Sequence, residues 1–397
     1  MIIMEHALPR EMMPLWRRIG LLIPPRFRKE PRDAGKRPDL GIAQVEVTTR
    51  CNHRCTMCPG TFYRGTLRKD LDFPVFERLS GFLPRVSLVY LQGWGEPLLH
   101  PRLFDMVALA REKGCRTGFT TNGSLLDENT VREAVRLQVK YITVSLAGAD
   151  AATHNRIRRG SDFHQLLADV ARLVEVKKEA GREDPQIHLS YMLSRESVTA
   201  LPRMVSLARE LGVDRLVAPN LDCPITPEDE KDRVFDWGEP DPAHRAAIEE
   251  AQALARTLKL ELSVHPLQLT DDVLVCELNP LTQFFVNVDG EVSPCVYTSI
   301  VGRKEYDRYF RGEPVPTQAL TFGSLQEQDM EDIWQGEEYR RFRRFFVNRL
   351  QNHHEIVREL SVRSFPDLNE FSSRFDRTLA ENPFPPVCRQ CYKAYGA

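Results

Sequence analysis

No apolar run in these 397 residues approaches the roughly 20 needed to cross a bilayer. The N-terminus also lacks a continuous apolar segment followed by a small-residue cleavage site. Those two absences predict a soluble, cytoplasmic protein. Charge of either sign is not in excess: 54 lysines and arginines meet 56 acidic residues, so no overall field favours nucleic acid or an anionic lipid surface. One more absence is local. The segment "TTRCNHRCTMCPG", residues 48–60, crowds Cys51, Cys55 and Cys58 together with no fourth cysteine nearby. What the chain does have is a hydrophobic content of 42%, enough to bury a full core in one large domain plus a smaller one. Its nine cysteines, without an export signal, read as metal ligands and not as a disulfide framework.

Three stretches differ in texture. Residues 1–42 join a short apolar-basic piece to a Pro/Arg/Lys-rich connector. Leu15, Trp16, Ile19 and Leu22 share one helical face there, but the stripe spans barely two turns, so the expectation is a leader packed on the main domain. Residues 43–266 alternate short β-branched runs ("IAQVEVTT", "VSLVYLQG", "RTGFTTNG", "KYITVSLAG", "QIHLSYML", "DRLVAPN") with helical patterns, three of which end in glycine. Repeated β-α units predict a parallel sheet with right-handed crossovers, and six of them followed by "LELSVHP" suit an open partial barrel. Ligand chemistry in such sheets sits at the C-terminal ends of the strands, and the cysteine loop follows the first strand. Residues 267–397 carry the remaining cysteine pattern.

Thiolates are soft ligands that select iron-sulfur clusters, zinc or copper(I), and a [4Fe-4S] cubane takes four ligands. Three cysteines therefore leave one iron open to a chelating small molecule. Structural zinc would want a fourth Cys or His in the same neighbourhood, and His53, inside the loop, is poorly placed to close the set it interrupts.

With its C-x3-C-x2-C loop after a first strand, the sequence resembles the radical S-adenosylmethionine (SAM) superfamily over about residues 43–266. The resemblance implies a partial (β/α)6 barrel, cluster ligation by Cys51, Cys55 and Cys58, and SAM chelating the fourth iron through its amine and carboxylate. "QGWGEP" is similar to the family's glycine-rich element, which implies Gly93, Gly95 and Glu96 at the SAM amino group; Trp94 between the glycines is a departure. "TTNG", with Thr121 and Asn122, and "SLAG", with Ser145, resemble the ends of strands three and four, and "HNRIRRG" resembles the segment whose arginine meets the SAM carboxylate. Arg158 is the choice for that arginine over Arg156 and Arg159.

Further on, Cys276 is followed by thirteen residues, Gly290, four more and Cys295, and "PPVCRQC" adds Cys388 and Cys391. Four thiolates make a closed set for one cluster. The pattern resembles the SPASM/twitch extension of radical SAM enzymes, a small α+β cluster domain, and "FGSLQEQDMEDIW" resembles its Gly-x-Leu to Ile-Trp segment, implying Gly323, Leu325, Ile333 and Trp334 beside the cluster. Full SPASM domains carry further cysteines, so one auxiliary cluster is expected here. Residues 350–385 are longer than the usual approach to the last pair and are read as a cap or a subunit contact.

Of the other candidates, Cys115 reads as structural, His100 as a packed helix-start residue, and His353 and His354 as a solvated pair; Asp222 and Glu228, near Cys223, are candidate bases, with solvated loop acids the plainer reading. Cys223, after strand six, lies at the active mouth and is a candidate hydrogen-atom donor, as in radical SAM epimerases, although an inert loop thiol is the plainer reading. The resemblance implies two [4Fe-4S] clusters, SAM, and a flavodoxin- or ferredoxin-type electron donor. The favoured activity is hydrogen abstraction from a small polar metabolite for net oxidation. A peptide or protein substrate, and a redox-neutral epimerisation, are the alternatives, with a non-catalytic electron carrier last because carriers use fully ligated clusters.

Overall fold

A computed structural model describes residues 38–63, 65, 67–362 and 368–397. The leader and its apolar stripe lie outside the described residues. Thirteen strands follow in chain order: β1 (Leu40–Val45), β2 (Arg54–Cys55), β3 (Val86–Leu91), β4 (Arg116–Thr121), β5 (Tyr141–Leu146), β6 (Arg158–Arg159), β7 (Gln186–Tyr191), β8 (Arg215–Ala218), β9 (Glu261–Val264), β10 (Gln283–Val286), β11 (Val292–Ser293), β12 (Glu305–Phe310) and β13 (Glu313–Gln318).

Strand-forming runs alternate with helices because their hydrophobic periods differ. Helix Phe163–Glu179 repeats apolar residues at helical spacing and buries Leu166, Val170, Leu173 and Val174; each such burial stabilises by about 1.5–3 kcal/mol. Its start is set by Asp162, whose carboxylate accepts from the backbone of His164 and Gln165. The three glycines expected after helices, Gly114, Gly181 and Gly212, all take positive φ. At Gly212 (φ 71°) the left-handed turn ends helix Leu201–Leu211.

The strands form one sheet in the order β11-β10-β1-β3-β4-β5-β7-β8-β9, parallel except for the β10–β11 pair. Its two ends do not pair with each other, so the barrel is open, as the β-α repeats imply. The sheet runs across residue 266, where the sequence reading divides the chain. β10 pairs in parallel with β1 in the register Val45↔Val286, and the apolar "QFFV" of β10 covers a strand edge that would otherwise be unpaired. β12 and β13 form a separate hairpin, and β2 and β6 a short ribbon.

Two expectations need correction or refinement here. His353 is not solvated: it is 1% exposed and packs edge-on against Phe375, because helices Glu337–Val362 and Leu368–Glu381 lie against each other; only His354 is exposed. Within the stretch 350–385, residues 350–362 and 368–381 belong to that helical pair. Buried Arg349 bolts it to the segment before Cys276, donating to the carbonyl oxygens of Val273 (2.6 Å), Leu274 (3.2 Å) and Asn382 (2.6 Å). Leu325, Ile333 and Trp334 enter the main core, where Trp334 meets Phe82 and Phe284, while Gly323 is half-buried.

Candidate active site

A cavity of about 1650 Å³ opens at the C-terminal ends of the parallel strands and continues into the barrel. Cys51, Cys55, Cys58, Gly93, Gly95, Glu96, Thr121, Asn122, Ser145, Arg158 and Cys223 all line it.

The cysteine loop leaves β1 and is tied down at both flanks. Arg50 pairs with Asp70 (2.7 Å), and Asn122 Nδ2 reaches Asn52 Oδ1 (2.8 Å) and Cys51 Sγ (3.9 Å). Cys55 lies opposite Arg158 in the β2–β6 ribbon, with the guanidinium 3.9 Å from its sulfur. That geometry separates the three arginines: Arg156 is exposed and pairs with Glu196, Arg159 is exposed on the outer surface, and Arg158 faces the cavity. Burial pushes the Cys55 thiol up to about 11, Arg158 partly opposing and the neighbouring cysteines adding to the rise. His53 is 1% exposed, and neither ring nitrogen has a partner; burial, then Arg158, lowers it to about 4. It is a neutral imidazole beside the thiols and not a zinc ligand already in place.

Glycine is required next to this loop. A Cβ on Gly95 would fall 2.1 Å from the Thr48 carbonyl oxygen and 2.6 Å from that of Arg50, and one on Gly93 would strike Glu46. The backbone approach holds Glu96 at the cavity. Its carboxylate accepts from Thr121 Oγ1 (2.7 Å), the Asn122 amide (2.7 Å) and the Leu98 amide (3.2 Å). Burial outweighs those bonds and raises Glu96 to about 7. Thr121 thus serves as the holder of Glu96. The departure in the motif, Trp94, has a structural use: its backbone amide donates to Glu46 (2.8 Å), its indole donates to the Ser299 carbonyl (3.0 Å), and its ring stands edge-on to Tyr297. It links the glycine loop to the segment after Cys295.

Cys276, Cys295, Cys388 and Cys391 gather behind the opposite wall. Burial raises the thiols of Cys276, Cys295 and Cys388, and neighbouring cysteines add to it: Cys295 and Cys391 at Cys276, Cys391 at Cys295, which is pushed up to about 11, and Cys276, Cys295 and Cys391 at Cys388. Arg308, 4% exposed, donates to the Val387 carbonyl (2.9 Å) next to Cys388 and opposes the rise in Cys295 and Cys388. Crowded thiols raised in this way ionise readily only against a multivalent cation. All nine cysteines are free thiols, and no His/Cys/Asp/Glu group among the described residues closes to the spacing of a single ion. The fit to two clusters rests on ligand count and thiol chemistry.

Between the two sets stands a wall that sequence reasoning largely missed. Asp222, read as a solvated loop acid, is buried: its side chain is 8% exposed and pairs with Lys393 Nζ at 2.7 Å, while Tyr297 OH donates to its other oxygen at 2.9 Å. Lys393 also reaches Glu277 and His265 Nδ1, each at 3.4 Å. Burial works against the Lys393 charge, but Asp222 and Glu277 outweigh it and keep the amine protonated. Asn220 is 4% exposed and leaves Oδ1 without a partner at the cavity. Each of Asp222, Glu277, Tyr297 and Lys393 lies within two residues of a cysteine, the one available signal. Cys223 borders this wall among Tyr63, Trp94, Tyr297 and Tyr306, and burial strongly raises its thiol. Cys115, Sγ 3.2 Å from the Leu83 carbonyl, and His100, held by the Leu71 carbonyl, are structural as read.

Residues 45–181 match the Radical SAM superfamily, and residues 276–392 match SPASM, an iron-sulfur cluster-binding domain. The chain is 30% identical over 304 residues, 75% of its own length and 82% of the relative's, to a tungsten-containing aldehyde ferredoxin oxidoreductase cofactor-modifying protein of Pyrococcus furiosus. It is 23% identical over 303 residues, 75% of its length and 74% of the relative's, to the PqqA peptide cyclase of Granulibacter bethesdensis. Its fold is similar to that of SuiB from Streptococcus suis bound to S-adenosylmethionine, with a TM-score of 0.57 and 15% identity, covering 77% of this chain and 68% of that one. No helix among the described residues is long and apolar enough to cross a membrane.

Proposed function

Because the chain belongs to the radical SAM superfamily and carries a SPASM iron-sulfur domain, we propose that it abstracts a hydrogen atom from a polar substrate seated between its two cysteine sets, for a net oxidation. The carrying observation is that one cavity is lined by Cys51, Cys55 and Cys58 and also by Glu277, Tyr297 and Lys393, each within two residues of a cysteine of the other set. When bound, SAM and the three-cysteine cluster supply a 5′-deoxyadenosyl radical, and a cluster closed by Cys276, Cys295, Cys388 and Cys391 supplies an electron acceptor.

The chain's own residues bind and orient. Glu96 offers a carboxylate to the SAM ammonium, Arg158 a guanidinium to its carboxylate, and Ser145 a hydroxyl at the end of β5. Across the cavity, Asn220 Oδ1 accepts from substrate, and the protonated Lys393 holds Asp222 and Glu277 in the wall. A wall of such groups favours a small polar molecule, because each buried polar atom left unpaired costs free energy that only a hydrogen-bonding substrate recovers. The peptide reading is supported by a relative named for cyclising a peptide, and by a cavity larger than a drug-sized ligand requires.

The first experiment is anaerobic reconstitution with iron, sulfide, SAM and dithionite. 5′-Deoxyadenosine is the expected product, and SAM left intact across several reductants refutes the reading. With substrate in deuterated water, product free of deuterium at the abstracted carbon supports oxidation. Deuterium that appears there and vanishes in Cys223→Ala identifies Cys223 as a hydrogen donor and the reaction as redox-neutral.

A further inference from the structure

The outer face of the cysteine loop presents an arrangement that the reaction above does not use. In the β2–β6 ribbon Arg54 stands directly opposite Arg159, and both are exposed. Like charges placed opposite each other across strands are destabilising. Among the described residues, neither arginine has an ion-pair partner, whereas nearby Arg156 is paired with Glu196. The pair flanks a groove of about 630 Å³ lined also by Asn52, Thr56, Thr61 and Gly160. Gly160, at φ 100°, brings the β6 turn onto the loop: a Cβ there would stand 3.2 Å from the Asn52 carbonyl oxygen. Phe62, on the short helix Pro59–Tyr63 that follows Cys58, is 57% exposed and the single exposed large hydrophobic residue among those described; its amide donates to the Cys58 carbonyl at 3.1 Å.

The ribbon's placement gives this patch a use. The residue after Arg54 is Cys55, buried and facing the cavity, so the strand that carries two unpaired positive charges outside carries a cluster ligand inside. The inner side of the loop is closed by Glu96, Asn122 and Arg158. The ribbon is thus a surface element whose exposed Arg54 is one residue from a cluster ligand. We propose that the Arg54/Arg159 ribbon, together with Phe62 on the helix after Cys58, is the docking surface for an acidic one-electron carrier protein of the flavodoxin or ferredoxin type. The arginines supply charge complementarity and the phenylalanine an apolar anchor. One electron leaves the reduced carrier, which is oxidised by one, and the Cys51/Cys55/Cys58 cluster gains it; no proton or bond changes at the ribbon. The inference rests on the radical SAM reading.

The test compares two reductants on the reconstituted holoenzyme. Bleaching of the cluster absorbance is followed by anaerobic stopped flow with reduced flavodoxin and, separately, with dithionite, at low salt and near physiological ionic strength. Arg54→Glu/Arg159→Glu should slow reduction by flavodoxin about tenfold at low salt and flatten its salt dependence, since steering of this kind changes association by at least that factor. Dithionite reduction and the EPR signal of the reduced cluster should not move. Arg54→Lys/Arg159→Lys should keep most of the wild-type rate. Should the double variant lose its cluster, Arg159→Glu decides, since it lies off the cysteine loop: severalfold slower reduction by flavodoxin supports docking, and an unchanged rate overturns it. An unchanged flavodoxin rate in an intact double variant overturns it too. Wild-type binding to a short DNA duplex or to phosphatidylserine vesicles, lost in the double variant without effect on flavodoxin, reassigns the ribbon to another polyanion. Failure of dithionite itself to drive SAM cleavage instead defeats the radical SAM reading.

Discussion

Glu96 shows how one buried carboxylate joins protein electrostatics to cofactor affinity. Its pKa is raised from 4.5 to about 7, chiefly by burial, while an ammonium partner needs the ionised form. Below about pH 7 SAM binding must expel a proton, so affinity should fall about tenfold per pH unit there and level off above it. Glu96→Gln should bind weakly with a flat profile; isothermal titration across that range distinguishes the two, and a flat wild-type profile removes Glu96 from the SAM site. For folding without SAM the sign is the reverse. The folded state holds the proton more tightly than the unfolded chain, so this group's contribution is complete below pH 4.5 and is lost as pH rises toward 7. Asp222 makes a second case. Removing it leaves the buried Lys393 with the more distant, half-exposed Glu277 as its counter-charge and a contact to His265, so Asp222→Ala should destabilise by about 3 kcal/mol, read from denaturation midpoints. An unchanged midpoint means the pair is hydrated and the wall is not as buried as described.

Among the elements, the last turn of the chain does two tasks within a few residues. Helix Pro386–Arg389 sets Cys388 and Cys391 at the closed thiol group, and the following turn, Tyr392–Tyr395, brings Lys393 to the cavity. Replacing Cys388 and Cys391 with alanine should leave some SAM cleavage and suppress the oxidised product in a folded variant. Full product yield from a variant shown by iron analysis to lack that cluster contradicts the electron-acceptor role. The glycine loop is as constrained: Gly95→Ala places a methyl group against two backbone carbonyls that cannot withdraw, so SAM binding should be lost while the far thiol group still takes up iron.

Taken as a whole, the molecule is one sheet shared by two functional halves. Reconstituted protein should hold about eight irons per chain, seven cysteines being assigned to two cubanes. Alanine at Cys51, Cys55 and Cys58 together should leave about four irons and no SAM cleavage. A chain ending at residue 266 removes β10 from β1 and uncovers a buried edge together with Phe82, which Phe284 otherwise covers. That fragment should aggregate, as light scattering would register, whereas a monodisperse, folded fragment would show that β10 is dispensable to the barrel.

The β-α alternation, the open barrel, the three-cysteine loop and the glycine-rich element were legible in the chain because each is a local pattern: period 2 against 3.6, a fixed thiol spacing, glycine where backbones meet. So was the second cysteine set, once its spacing was counted. The pairing of β10 with β1, the burial of His353, and the meeting of Asp222, Tyr297 and Lys393 were not legible. They join residues up to 241 positions apart, from β1 to β10, and no period or motif encodes which strand edge a later segment will cover. Among Arg156, Arg158 and Arg159 the family resemblance already favours Arg158, but the physical reason lies in the fold. Three arginines within four positions are chemically alike in sequence, and only the β2–β6 pairing turns one toward the cavity and another toward solvent, because successive side chains of a strand face opposite sides.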